Sequence, residues 1–186
     1  MPGAFDRLSD QDLIAVCNDG DAEDAAAAFN VLYRRHKDYV VRIAMRFVHD
    51  HDVALDVLQE TFSYILKKLP PPGPGITLSA RLTTFLYPVA KNLAITQLRK
   101  AERFDPGEDP DSLPAPEVDD DDDLGRVLGA LPTERREVLT LRFVDDLTLQ
   151  EIADTLDIPL GTVKSRLHLG IRELRDSPEI RKIYFS

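Results

Sequence analysis

The chain has 186 residues, of which 43% are hydrophobic, and a formal net charge of −10; this is enough apolar content to fold as one domain or two small ones. It contains no run of roughly eighteen apolar residues, and its start, MPGAFDRLSDQD, is acidic where a secretion signal is basic and then apolar, so neither a membrane span nor a signal peptide is expected and a cytoplasmic location is. The single cysteine, Cys17, can neither close an internal disulfide nor build a zinc site; it reads as a small packing residue, and no metal or cofactor is expected.

The charge is unevenly spread. Residues 105–125 hold ten acids and no Lys or Arg, which equals the whole net charge, whereas 29–104 hold twelve bases against six acids. A nucleic-acid partner meets local charge, so the overall acidity does not exclude DNA binding.

In chain order, LSDQDLIAVC predicts one short helix ended by Asn18-Asp19-Gly20-Asp21. A long helix follows from about Ala25 to Val48, with Phe29, Leu32, His36, Tyr39, Val40, Ile43 and Phe47 on its apolar face and His36 as a hydrogen-bonded boundary residue. His49-Asp50-His51-Asp52 reads as a connection, since no further ligand cluster accompanies it to hold a metal. The next helix spans Val53 to Leu69, with Val57, Leu58, Phe62, Ile65, Leu66 and Leu69 inward and Asp56, Gln59 and Glu60 on a polar face. Pro70 to Gly75 must interrupt it, because consecutive prolines supply no helical N–H groups.

A third helical stretch, Arg81 to Arg103, buries Phe85, Leu86, Val89, Leu93 and Leu98. Its other side carries Lys91, Asn92, Gln97, Arg99, Lys100 and Arg103, interleaved with Phe85 and Tyr87, and rings beside a cationic track suit unstacked single strands. Pro88 predicts a kink, or a helix start near Tyr87. Asp105 to Asp123, with four prolines and the run Asp119–Asp123, is too charged to form a core and reads as a flexible acidic linker.

Beyond it, Leu124–Leu131 and Thr133–Phe143 form two helices broken at Pro132, with Leu128, Leu131, Val138, Leu139, Leu141 and Phe143 as backing. Thr148 with Glu151 has capping-box spacing and opens a short helix carrying Ile152, Ala153 and Leu156, which ends at Asp157-Ile158-Pro159. From Thr162 the stripe Val163, Leu167, Ile171 and Leu174 marks a second helix whose other face bears Lys164, Ser165, Arg166, His168 and Arg172. A packed stripe opposite a basic, hydroxyl-bearing face is what a helix needs to enter the major groove. Ser177-Pro178 ends it and leaves the tail EIRKIYFS. The fold class is therefore all-α: helical domains at 1–104 and 124–186 joined by the linker 105–123.

The run IPLGTVKSRL at 158–167, with LPTERREVLTLRF at 131–143, closely resembles region 4 of bacterial sigma factors of the extracytoplasmic-function group, a branch of the sigma-70 family. DVALDVLQETF at 52–62 resembles the region 2 segment that docks on polymerase, and 81–103 resembles the family's WLYRIARNLALDYLR segment, with Phe85 in place of its tryptophan and an unusual Pro88. The resemblance implies a promoter-specificity subunit without catalytic residues of its own. Asp56, Gln59, Glu60 and Phe62 would face the clamp helices of the largest polymerase subunit, with the flap of the second subunit as a further contact. Ile76, Thr77 and Ser79 would line the pocket for a flipped minus-10 base. Phe85, Tyr87, Lys91, Asn92, Arg99, Lys100 and Arg103 would track the melted minus-10 strand.

In region 4, Lys164, Ser165, Arg166 and His168 would read the minus-35 duplex, with Thr162 and Arg172 mainly on phosphates; Leu169 and Ile171 stand where the group often has arginines. Partners so implied are core RNA polymerase, promoter DNA and an inhibitory anti-sigma factor. The alternative is a two-domain helix-turn-helix regulator without sigma activity, which would not need the Asp56-Gln59-Glu60 face. No Gly-rich phosphate loop, metal triad or Ser/His/Asp constellation supports an enzyme.

Overall fold

The computed structural model describes residues 5–70, 73–78, 80–102 and 127–176. Among these, all regular structure is helical: α1 (Asp10–Asp19), α2 (Ala22–Met45), α3 (His51–Lys68), α4 (Leu82–Glu102), α5 (Thr133–Phe143), α6 (Leu149–Leu156) and α7 (Leu160–Asp176), plus a helical segment at 127–129. Contacts divide the chain into two compact units between Pro110 and Asp111. The expected acidic linker, Arg103 and the tail from Ser177 lie outside the described residues.

In the first unit each early helix starts on a side-chain oxygen that satisfies orphan N–H groups. Ser9 and Asp12 form a capping box on α1, Asp21 accepts from the N–H groups of Glu23 and Asp24, and Asp50 accepts from those of Asp52 and Val53. Asp21 starts α2 at Ala22, ahead of the expected Ala25, and the carboxylate of Asp50 is used as a cap. α2 is central and touches α1, α3 and α4. It contributes Val31, Leu32, Tyr39, Val40, Ile43 and Ala44 to the core, facing Leu13, Ile14 and Cys17 of α1 and Val57, Leu58 and Ile65 of α3. Burial pushes the Cys17 thiol up to about 11, which keeps it protonated and unreactive at neutral pH.

Three expectations for this unit are corrected. Phe62 is buried and makes edge-to-face contacts with Phe29 and Tyr33, at ring-centroid distances of 6.0 and 4.9 Å, so it supports α3 from beneath rather than lying on its outer face. Leu66, placed inward by periodicity, is 56% exposed. α4 starts at Leu82 and runs through Pro88 without a break, because Leu82, Leu86, Tyr87, Ala90 and Ala94 are all buried along it and packing outweighs one lost hydrogen bond. That inward face includes Tyr87, while Phe85, Val89, Leu93 and Leu98 sit half-buried at its margin.

In the second unit Leu128, Leu131 and Leu139 form a cluster against which Leu167 and Leu174 of α7 pack. The expected capping box is present: the Thr148 N–H donates to the Glu151 carboxylate at 2.8 Å, and the Glu151 N–H donates to the Thr148 hydroxyl at 3.2 Å. α6 ends at Asp157, whose left-handed conformation (φ 52°, ψ 48°) turns the chain so that α7 begins at Leu160, two residues before the expected Thr162. Pro132 caps α5 from just outside the helix, and Phe143 at its far end is 60% exposed, beyond the reach of the core it was expected to back.

The packed stripe of α7 is Val163, Leu167, Gly170 and Leu174, and Ile171 is turned out. A residue seven positions on returns to the same line of a helix, whereas one eight on drifts off it, so Gly170 rather than Ile171 follows Val163. A Cβ on Gly170 would lie 2.7 Å from Leu139 Cδ1, which is how closely α5 and α7 approach.

Gly170→Val should therefore destabilise the second unit by about 2 kcal/mol, because the added branch must displace the buried Leu139; urea unfolding of the variant checks this. In the first unit, Asp10 accepts from His36 Nε2 at 2.6 Å and from Arg35 at 2.9 Å. The His36 hydrogen bond, ahead of its charge and of Arg35, holds the Asp10 carboxyl below its ordinary 3.8. A depressed carboxyl stabilises the fold above its ordinary value and loses that contribution as pH falls through the lowered one. Asp10→Asn should cost about 1 kcal/mol at neutral pH and show a smaller loss of stability below pH 3.8 than the wild type, as read by thermal melting across that range.

Candidate nucleic-acid interface

On α7 the side opposite the packed stripe carries Lys164, Ser165, His168 and Arg172, all exposed, with Ile171 and Arg175 on the same side. Thr162 and Arg166 lie at its edge, half-buried. Arg166 Nη2 is 3.1 Å from the Glu134 carboxylate of α5, so this guanidinium is already paired in the free protein. A second pair, Arg135 with Glu173, ties α5 to the far end of α7. α6 braces α7 through the buried Ile152 and Ala153, which leaves the outer face of α7 uncovered within this unit. The resulting surface combines three cationic side chains, a hydroxyl, an imidazole and one apolar side chain, the repertoire for phosphates, base edges and a thymine methyl.

In the first unit Asp56, Gln59 and Glu60 are exposed together on α3, and Glu60 accepts a hydrogen bond from Gln97 of α4 at 2.9 Å. Asp56, Gln59, Ser63 and Leu66 follow one another at spacings of three, four and three and are all exposed, so one polar stripe ends in an apolar residue. Sequence reasoning missed Leu66 because it assigned the residue to the core; extending the Asp56–Gln59 spacing along the helix would have found it.

On α4 the expected strand-contacting residues are separated by the helix. Phe85, Asn92 and Arg99 lie seven apart on one line, with Lys100 beside them, and the last three are exposed. Tyr87 is 1% exposed on the opposite side and cannot stack on a base, and Lys91, one turn beyond Tyr87, is half-buried with it. The aromatic partner of Phe85 is instead Tyr64 of α3, nearly parallel to it at 26° with centroids 6.5 Å apart, and Lys68 Nζ lies 5.3 Å above the Tyr64 ring. Tyr64 is 40% exposed. It stands one turn after Glu60, and that spacing was the available signal for it.

Of the loop residues, Ile76 is buried and Thr77 exposed, while Ser79 lies outside the described residues. Among the described residues no group of three His, Cys, Asp or Glu side chains gathers to hold a metal, and no helix is long and apolar enough to cross a membrane.

Comparison with known proteins bears on both units. Residues 32–104 match the sigma-70 region 2 family and 121–174 match sigma-70 region 4. The chain is 30% identical over 181 residues to the ECF RNA polymerase sigma-E factor of Escherichia coli (strain K12), covering 87% of this chain and 90% of that protein. It is 31% identical over 164 residues to the ECF RNA polymerase sigma factor SigE of Mycolicibacterium smegmatis, covering 82% of this chain but only 62% of that longer relative. Two solved structures share the fold at a TM-score of 0.60. One is the sigma factor RpoE with the anti-sigma factor NepR from Bartonella quintana, at 21% identity with 84% of this chain and 98% of that one covered. The other is CnrH with the cytosolic domain of CnrY, at 20% identity with 90% and 99% covered.

Proposed function

The chain belongs to the sigma-70 family, in its extracytoplasmic-function group, and from that premise we propose that it binds core RNA polymerase and directs promoter-specific initiation by reading the minus-35 element as duplex and the minus-10 element as a melted strand. The observation that carries the reading is the outer face of α7, where Lys164, Ser165, His168 and Arg172 stand clear of a helix firmly packed on its other side. In this reading Lys164, Ser165, His168 and, once released from Glu134, Arg166 reach the minus-35 base edges, while Thr162 and Arg172 hold phosphates. The exposed Ile171 contributes apolar contact where the group often carries arginine, which favours a thymine methyl over an extra phosphate.

The first unit supplies the other two contacts. Asp56, Gln59 and Glu60, with Leu66 as the apolar end of their stripe, form the surface for the clamp helices of the largest subunit, and the second unit meets the flap of the second. Phe85, Asn92, Arg99 and Lys100, joined by Tyr64, form the track for the melted strand, and Thr77 is the loop residue free to meet a flipped base. The chain performs no bond chemistry of its own; it acts in the cytoplasm by holding polymerase and promoter in register. Its regulator is an anti-sigma factor that covers the polymerase-binding faces; what supports an anti-sigma partner is that RpoE, which shares the fold, is solved in complex with the anti-sigma factor NepR.

Run-off transcription with core polymerase on a pool of promoter fragments tests this. The wild type should initiate at specific sites, Arg166→Glu should lose promoter selection while still binding core, and Gln59→Ala with Glu60→Ala should lose core binding. A wild type that binds duplex but neither binds core nor initiates would make the chain a helix-turn-helix regulator instead. Glu134→Gln should raise affinity for the selected minus-35 duplex by about threefold, the scale of one exposed ion pair, as measured by fluorescence anisotropy.

A further inference from the structure

Residues 74–78, between α3 and α4, alternate in direction: Ile76 and Leu78 are buried and Thr77 between them is exposed. The backbone of this segment is held from α1. Asn18 Nδ2 donates to the Ile76 carbonyl at 2.7 Å, and the Ile76 N–H donates to Asn18 Oδ1 at 3.0 Å, so one side-chain amide closes both polar groups of a single residue as an adjacent strand would. Two residues on, Gln11 Nε2 donates to the Leu78 carbonyl at 3.3 Å. Gln11 and Asn18 are seven apart, on one line of α1. The approach constrains Gly75 as well: its φ is +90°, and a Cβ there would lie 3.1 Å from Asn18 Oδ1. At the other end the N–H groups of Gly73 and Gly75 donate to the carbonyls of Leu69 and Lys68, both at 3.0 Å.

A connector whose only task is to join two helices needs no such clamp, since water satisfies its backbone. Here every bond from α1 lands on the inward residues, and what they fix is the attitude of the outward one. We propose that Asn18, assisted by Gln11, is a positioning residue for promoter opening: by pairing with the backbone of Ile76 and Leu78 it presents the Thr77 hydroxyl to the flipped minus-10 base. This rests on the sigma-factor reading above and adds a specificity role to α1. A preformed loop gives up little freedom when the base enters, whereas an unclamped one must be ordered at that moment. Only the matching base makes hydrogen bonds that depend on the position of Thr77, so loosening the loop weakens the matching base more than a mismatched one and narrows the difference between them.

The test uses the full chain with core polymerase on fragments randomised at single minus-10 positions, reading the initiation ratio between the best and worst base at each. Asn18→Ala should lower that ratio at one position by about tenfold, within the range of one base-edge contact, with core affinity and dependence on the minus-35 element unchanged. Asn18→Asp, which keeps the acceptor for the Ile76 N–H but sets a carboxylate against its carbonyl, should lower the same ratio. Gln11→Ala, an exposed change that spares folding, should lower it less, and Thr77→Ala should abolish the preference there. A variant that is merely unstable reduces the active fraction on every fragment alike and leaves the ratio intact, so a uniform loss overturns the proposal. An unchanged ratio in Asn18→Ala beside a lost one in Thr77→Ala overturns it too, because the loop then holds itself. Absence of core binding by the wild type would instead remove the sigma-factor reading beneath it.

Discussion

The close approach of α5 to α7 at Gly170 decides what the second unit can do. With no side chain there, Leu139 sits against the helix backbone, and Val163, Leu167 and Leu174 fall into the same packed line. Once that line is fixed, helical geometry leaves no freedom for the rest: Lys164, His168 and Arg172 must stand on the far side. The left-handed turn at Asp157 and the Thr148–Glu151 box add the complementary constraint, since they set where α6 stops and hence how it braces α7. The outward charges are thus a consequence of interior packing, and a helix free to roll would spend them on solvent.

The first unit solves a different problem with the same means. Its surfaces are shared between helices: Glu60 of α3 accepts from Gln97 of α4, and Tyr64 of α3 lies over Phe85 of α4. Beneath both runs the buried row from Val57 to Ile65, with Phe62 wedged between Phe29 and Tyr33. Polymerase docking on α3 and strand contact on α4 would consequently be read on one rigid body, so that seating on polymerase also aims the track for the strand.

What was legible in the sequence was whatever a single helix decides for itself. The capping box at Thr148 and the polar trio Asp56, Gln59 and Glu60 depend on spacing within one segment, and they stand as expected. What misled were residues whose direction is chosen by a neighbouring element. Tyr87 reads as an aromatic beside a basic track, yet it turns inward with Leu86 and Ala90. Leu66 and Ile171 read as core by period alone, but each sits one step off the line that its neighbour packs. Pro88 reads as a kink or a helix start, and the helix start fails because the local cost of a proline is visible in sequence and the burial that offsets it is not. The Asn18 clamp joins residues 58 apart in the chain, a pairing no local pattern announces.

Charge behaves in the same local way. All of the net −10 resides in residues 105–125, and the first twenty-eight residues add seven acids against one arginine, which by themselves suggest a protein that shuns DNA. In physiological salt, however, the field of an exposed charge decays over about 8 Å, so the net charge of the chain says little by itself about the face of α7. The acids that count are those within contact distance. Among the described residues Glu173 pairs with Arg135 and Asp176 with Arg175, while Glu134 holds Arg166 at 3.1 Å and in the proposed reading is the carboxylate that a phosphate or a guanine edge would displace there. Because that pair is largely exposed on the Glu134 side, it is cheap to exchange. It orients Arg166 in the free protein, and in the proposed reading it would yield Arg166 to a better acceptor, so that this one exchangeable ion pair would be a local control on the affinity of α7 for DNA.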